Sequence, residues 1–106
     1  QIINAAYLNN ATTTSQSINL AYGYLWWLNG KTSYHMPQSQ LQIPGTLIPT
    51  APSDMYCALG KNDQKIYVVP SKKLVIIRMG DAADTSNFAL SDFDETLWQK
   101  ISAVIN

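Results

Sequence analysis

Apolar residues run without interruption through Val68-Val69 and through Leu74-Val75-Ile76-Ile77, with turn-forming residues on either side. Short continuous apolar runs bounded by turns describe strands covered on both faces; a sheet with one wet face would alternate. Met55 to Leu59, Gln64 to Val69 and Lys73 to Met79 read as strands, separated by turns at Gly60-Lys61-Asn62-Asp63 and Pro70-Ser71-Lys72. The stretch Tyr56–Met79 is therefore expected to form antiparallel strands buried on both faces. Downstream the period changes. Phe93, Leu97, Ile101 and Ile105 recur at every fourth position, and Trp98 and Val104 widen this stripe into a helical face. Ser91 suits the N-cap, and Asp92, Asp94 and Glu95 stand in the first turn, where the helix dipole favours negative charge. The spacing predicts a helix over 91–105, packed on one face of the sheet and reached through a connection from Gly80 to Ala89.

Upstream the pattern is less regular. Ile2, Ile3, Ala6 and Tyr7 share a helical face that stops at Asn9-Asn10, as in the last turns of a longer helix, and a polar loop completes 1–19. Segments 21–28 and 31–36 flank Asn29-Gly30, a pair that tolerates the positive φ of a type I′ turn, so 20–36 is expected to be an aromatic hairpin. Pro37, Pro44, Pro49 and Pro52 fall within 37–54, and proline removes a ladder donor; this stretch is expected to be a long ordered loop. The fold class is α+β.

Composition adds one constraint. The chain is 46% hydrophobic and 13% charged, against about a quarter charged in a usual soluble domain. So little polar covering on 106 residues implies a partner over a large area or a longer protein. The start, Gln1-Ile2-Ile3-Asn4, enters mid-pattern, as expected of a chain that continues upstream. The sheet needs a second cover, and only one strong helix is present. Seven basic and seven acidic residues cancel, which argues against nucleic acid and anionic membrane surfaces as partners. No apolar run approaches the roughly 20 residues that cross a bilayer, so no membrane segment is expected in this chain.

Candidate chemistry is sparse. Cys57 is the only cysteine and His35 the only histidine, too few for a metal site of usual spacing, so neither metal nor cofactor is expected. Cys57 reads as a small core residue. Gly30-Lys31-Thr32 resembles the end of a phosphate-binding loop, but the required upstream glycine is replaced by Leu25. His35 lacks a G-x-S-x-G partner for a triad and reads as structural. Asp92, Asp94 and Glu95 are explained by their helix position without acid–base catalysis. Neighbours on a strand point to opposite faces, so one of Trp26 and Trp27 packs inward while the other is a candidate wall of a cleft.

A longer ordered set carries a family resemblance. It consists of Tyr22-Gly23-Tyr24-Leu25-Trp26-Trp27, a long loop, and Ala58-Leu59-Gly60-Lys61-Asn62-Asp63-Gln64 leading into Ile66-Tyr67-Val68-Val69-Pro70. Leu74-Val75-Ile76-Ile77-Arg78-Met79-Gly80 and an amphipathic helix complete it. Residues 20–106 in this order resemble the C-terminal segment of the serine hydrolases related to class C β-lactamases, penicillin-binding proteins, esterases and 6-aminohexanoate-dimer hydrolases. The resemblance implies a β-lactamase/transpeptidase-like α/β sandwich, of which 1–106 is the C-terminal portion of one larger domain. It further implies acyl transfer on an ester, amide or β-lactam-like small molecule, and exported or periplasmic placement.

The family's nucleophile lies in a Ser-x-x-Lys motif. None occurs here, so the chain alone is expected to be inactive, with the nucleophile on a missing N-terminal part of the same protein or on another copy of the chain. The family's Lys-Thr-Gly motif falls on Ala58-Leu59-Gly60, where only the glycine is kept. By this resemblance Ala58, Leu59, Gly60 and Lys61 form the substrate strand, and the Lys61 backbone N–H is a donor to the oxyanion. Loss of the Lys-Thr pair favours an ester or amide over a β-lactam. The other readings are a non-catalytic binding or sensor member of the family and an unrelated small β-rich interaction domain.

Overall fold

A computed structural model of the chain describes residues 1–83 and 89–105. Its elements are α1 (Ala5–Ala11), β1 (Trp27–Leu28), β2 (Ser33–His35), β3 (Gln42–Pro44), β4 (Tyr56–Leu59), β5 (Lys65–Val69), β6 (Leu74–Arg78) and α2 (Asp92–Ile105). Short 3₁₀ turns at Lys61–Asp63 and Pro70–Lys72 join the last three strands. The four-stranded sheet has the order β1-β4-β5-β6, antiparallel throughout, and β2 and β3 pair separately. This is an α+β fold with its C-terminal helix on one face of the sheet. Of the connection expected over Gly80–Ala89, residues 84–88 lie outside the described residues.

The register explains which face α2 covers. Trp27, Cys57, Tyr67 and Ile76 stand side by side across the four strands. With Val69, Leu59 and Leu74 they meet Trp98, Leu97, Ile101 and Ile105 of α2. Leu47, Ile48, Ala51 and Met55 fill the remainder of this core. Helix α2 keeps most of its expected stripe, but Val104 is 83% exposed, and Phe93 packs under the Arg78 guanidinium, 5.2 Å from the ring centre.

Within the described residues only one face of the sheet is covered, as expected of a chain that supplies one strong helix. Side chains alternate across a strand, and the opposite row carries Tyr56, Val68 and Val75, with Ala58, Ile66 and Ile77 beside them. Val75 is 58% and Ile77 63% exposed. The apolar run is continuous in sequence, yet α2 reaches only alternate residues of it.

The expected hairpin over 20–36 gives way. Trp27 and Leu28 pair with Cys57 and Tyr56, while Ser33–His35 pairs with Gln42–Pro44 inside the proline-rich stretch. That stretch is thus a short strand plus a packed loop. Asn29 supplies the reason. It is buried, and its amide donates to the carbonyls of Ile48 (2.9 Å), Ala51 (3.2 Å) and Pro52 (3.0 Å). Its Oδ1 accepts from the Ile48 N–H and the Thr46 hydroxyl, each at 2.8 Å. Gly30 has φ +73°, and a Cβ there would lie 2.3 Å from the Ser53 carbonyl oxygen. The Asn-Gly pair does turn the chain, but it anchors loop 46–52 to the sheet instead of closing a local hairpin.

Helix α1 begins at a true N-cap, since Asn4 Oδ1 accepts from the Ala6 N–H at 2.8 Å. It is therefore not the tail of a longer helix, and Ile2 and Ile3 precede it in solvent.

Replacing Asn29 tests this anchor. Asn29→Ala should lower stability by about 3 kcal/mol, because buried carbonyls and an N–H lose partners. Asn29→Asp, which keeps the shape but cannot donate, should cost at least as much in urea denaturation.

Candidate functional site

The turn between β4 and β5 carries two consecutive left-handed residues, Asn62 (φ 57°) and Asp63 (φ 58°), and neither is glycine. Such conformations cost roughly 1–3 kcal/mol each and persist only where the surroundings over-determine them. Here they do. The Gly60 N–H donates to the Gln64 carbonyl at 2.8 Å. The Gln64 amide donates to the carbonyls of Asn62 (2.7 Å) and Gly80 (2.6 Å), and its Oε1 accepts from the Gly80 N–H at 3.0 Å. Arg78 adds bonds to the Asn62 and Asp63 carbonyls, both at 3.2 Å. The turn is thereby clipped to the end of β6.

This changes the reading of Gly60. Its backbone is extended (φ −109°, ψ 163°), so no unusual conformation demands glycine. A Cβ at Gly60 would instead lie 3.1 Å from Gln64 Cβ and 3.3 Å from the Gln64 carbonyl. The space its missing side chain leaves is filled by this clip. Ala58 and Leu59 diverge as strand neighbours must: Leu59 packs on the core, and Ala58 stands beside Ile66 on the open face. Lys61 is exposed, and among the described residues no acceptor takes its backbone N–H. A pocket of about 260 Å³ opens here, lined by Ala58, Leu59, Gly60, Gln64, Lys65, Ile66 and Met79.

Behind the turn lies a buried polar network. The Lys65 side chain is fully buried. Its ammonium donates to Asp94 Oδ2 at 2.9 Å and to the Ala89 carbonyl, and pairs ionically with Asp63 Oδ1 at 3.4 Å. Asp94 Oδ1 accepts from the Tyr67 hydroxyl at 2.5 Å, and its Oδ2 also accepts from the Ser91 N–H at 3.0 Å. Asp63 Oδ2 accepts from the Ala83 N–H at 2.9 Å. Thus Asp94, expected only to face the helix dipole, also closes the Ser91 cap and bolts α2 to β5. Burial, reinforced by the nearby Asp94 carboxylate, pushes the Cys57 thiol and the Tyr67 phenol far above their usual ranges, so both are neutral in the fold.

Sequence reasoning missed this network, although a trace of it was present. Lys65, Tyr67 and Val69 share one parity on β5, and a lysine on the core parity of a strand needs buried partners. Trp26 and Trp27 do separate as strand neighbours. Trp26 packs edge-on against Tyr56, ring centres 5.1 Å apart, on the open side. Trp27 joins the core and also lines a groove with His35 and Met36.

The chain matches no protein-family model, no curated protein and no solved structure. Among the described residues no cluster of His, Cys, Asp and Glu could hold a metal ion, and no helix is long and apolar enough to cross a membrane.

Two outcomes follow from the network. Lys65→Met leaves two carboxylates buried without their cation and should cost about 3–5 kcal/mol in urea denaturation. The Cys57 thiol is raised in the fold, so its contribution is whole below its ordinary value of 9.0 and declines as pH climbs above it. The urea midpoint should therefore fall above that pH, and Cys57→Ala should make the fall shallower.

Proposed function

We propose that residues 58–61 form one wall of the acyl-transfer site of a serine hydrolase whose nucleophile lies outside residues 1–106. The observation that carries this reading is the over-determined turn at the end of β4, where Lys61 is exposed and its backbone N–H has no acceptor among the described residues, next in the chain to Gly60 of a small apolar pocket. Attack on an ester or amide carbonyl places negative charge on its oxygen. A fixed backbone N–H stabilises that charge without reorganising during the reaction. Such a donor works whatever side chain it carries, so the site tolerates Ala58 and Leu59 in place of the Lys-Thr of the resembling family.

The apolar lining from Ala58, Leu59, Ile66 and Met79 suits an uncharged acyl group. Without a cation at positions 58 and 59, a substrate carboxylate finds no fixed partner there. Esters and simple amides are thus favoured over β-lactams. The open apolar row of the sheet supports a further part of the same protein, or another copy, as the carrier of the nucleophile.

In the intact protein, Lys61→Pro removes the N–H, and the extended backbone of Gly60 already suits a following proline. That variant should lower kcat on a nitrophenyl ester by about 10²–10³-fold, while Lys61→Ala keeps the donor and stays near wild type. Labelling by a fluorophosphonate probe is expected. A protein that neither takes the label nor hydrolyses the ester is the non-catalytic binding member instead.

A further inference from the structure

We propose that the groove between residues 18–19, β1 and the 36–40 turn is a binding site for a neutral saccharide, separate from the acyl-transfer site and independent of that reading. The groove encloses about 720 Å³, within the roughly 300–1,000 Å³ usual for small-molecule sites. Ile18, Trp27 and Met36 supply its apolar lining, and Asn19, His35, Gln38 and Gln40 its polar lining. No Asp, Glu, Lys or Arg lines it. A charged ligand would lose hydration there with no opposite fixed charge to meet it.

The polar lining has the right chemistry for hydroxyl groups. A hydroxyl both donates and accepts, and a carboxamide offers both functions on one plane. Three carboxamides line the groove with one indole, and an aromatic surface suits the C–H groups of a pyranose ring. The polar lining is also held in place. Asn19 Oδ1 accepts from the N–H groups of Ala21 (3.1 Å) and His35 (3.3 Å). These bonds tie residue 19 to β2 and leave its Nδ2 to donate. Gln38 adopts φ 68°, a left-handed conformation rare outside glycine, in a turn closed by the Ser39 N–H on the Met36 carbonyl at 3.0 Å. Among the described residues, the side chains of His35, Gln38 and Gln40 make no hydrogen bond within the protein.

Isothermal titration of the intact protein with cellobiose, maltose and N,N′-diacetylchitobiose tests the proposal. At least one should bind with millimolar affinity or better, with a change in tryptophan fluorescence. Trp27 also packs on the core, so its removal would test folding as much as binding. The discriminating variant is Gln38→Ala/Gln40→Ala, on the surface, which should weaken binding by about 10-fold or more through two lost hydrogen bonds while leaving the urea midpoint unchanged. Lys61→Pro should leave the affinity unchanged. The proposal is overturned by no binding of any of the three sugars, by binding that survives the double glutamine variant, or by equal affinity for a neutral dipeptide amide.

Discussion

The buried pair of Lys65 and Asp94 decides how the sheet and its helix fit together. An ammonium taken out of water must find a partner for every N–H or lose more than it gains. Lys65 meets two hydrogen-bond acceptors, Asp94 and the Ala89 carbonyl, and an ion-pair partner in Asp63, contributed by α2, by the segment leading into α2 and by the β4–β5 turn. One side chain thereby fixes three things at once. It sets the axial position of α2, because Asp94 also caps that helix through the Ser91 N–H. It sets the direction of the strained turn, because Asp63 sits in it. It sets the packing of Tyr67, whose hydroxyl completes Asp94 and whose ring meets Trp98 edge-on at 5.4 Å. An apolar residue at position 65 would leave Asp94 and Asp63 buried without their cation, so the position is tied to the network it completes.

Where the sequence was legible, the signal was local. Strands β5 and β6 were readable because Pro70-Ser71-Lys72 forces a turn between two apolar runs, and α2 because a fourfold stripe follows a capping serine. The hairpin over 20–36 failed for the opposite reason. Asn29-Gly30 has the chemistry of a tight turn, and chemistry of that kind reports the bend but not the partner. The partner of β1 is β4, about thirty residues away in the chain, chosen by the buried amide of Asn29 and the loop it gathers. Such a choice depends on which carbonyls lie together in space, and no periodicity encodes that. The same limit hid the role of Gln64: its spacing from Gly60 is visible, but its pairing with Gly80 arises only when β6 returns alongside.

The continuous apolar runs were readable as strands but not as a statement about faces. Continuity has two meanings that composition cannot separate: a strand covered on both sides, or a strand covered on one side whose other face is apolar yet open. The fold shows the second arrangement for Ile66, Val75 and Ile77. It accounts for the low charge of the chain without requiring a larger core, because residues that normally carry surface charge are replaced here by an uncovered apolar row. The proposed site lies along one end of that row, so whatever covers the sheet would also approach Gly60 and Lys61.

A fold this economical in polar groups makes functional capacity easier to locate, because most of its chemistry is already committed. Lys65, Tyr67 and Asp94 satisfy one another, with Asp63 ion-paired to Lys65. Asn29 holds a loop, Asp54 holds Ser71, and Gln64 and Arg78 hold a turn. A group bound this fully has no capacity left for a ligand, however suggestive its type, and Gly60 illustrates the point: its lost side chain answers to Gln64 before it answers to any substrate. What is left over is narrower. The Lys61 backbone N–H and the side chains of Gln38 and Gln40 have no partner among the described residues, and they are carried by elements whose other groups are paired. Rigidity in the first set is what gives direction to the second.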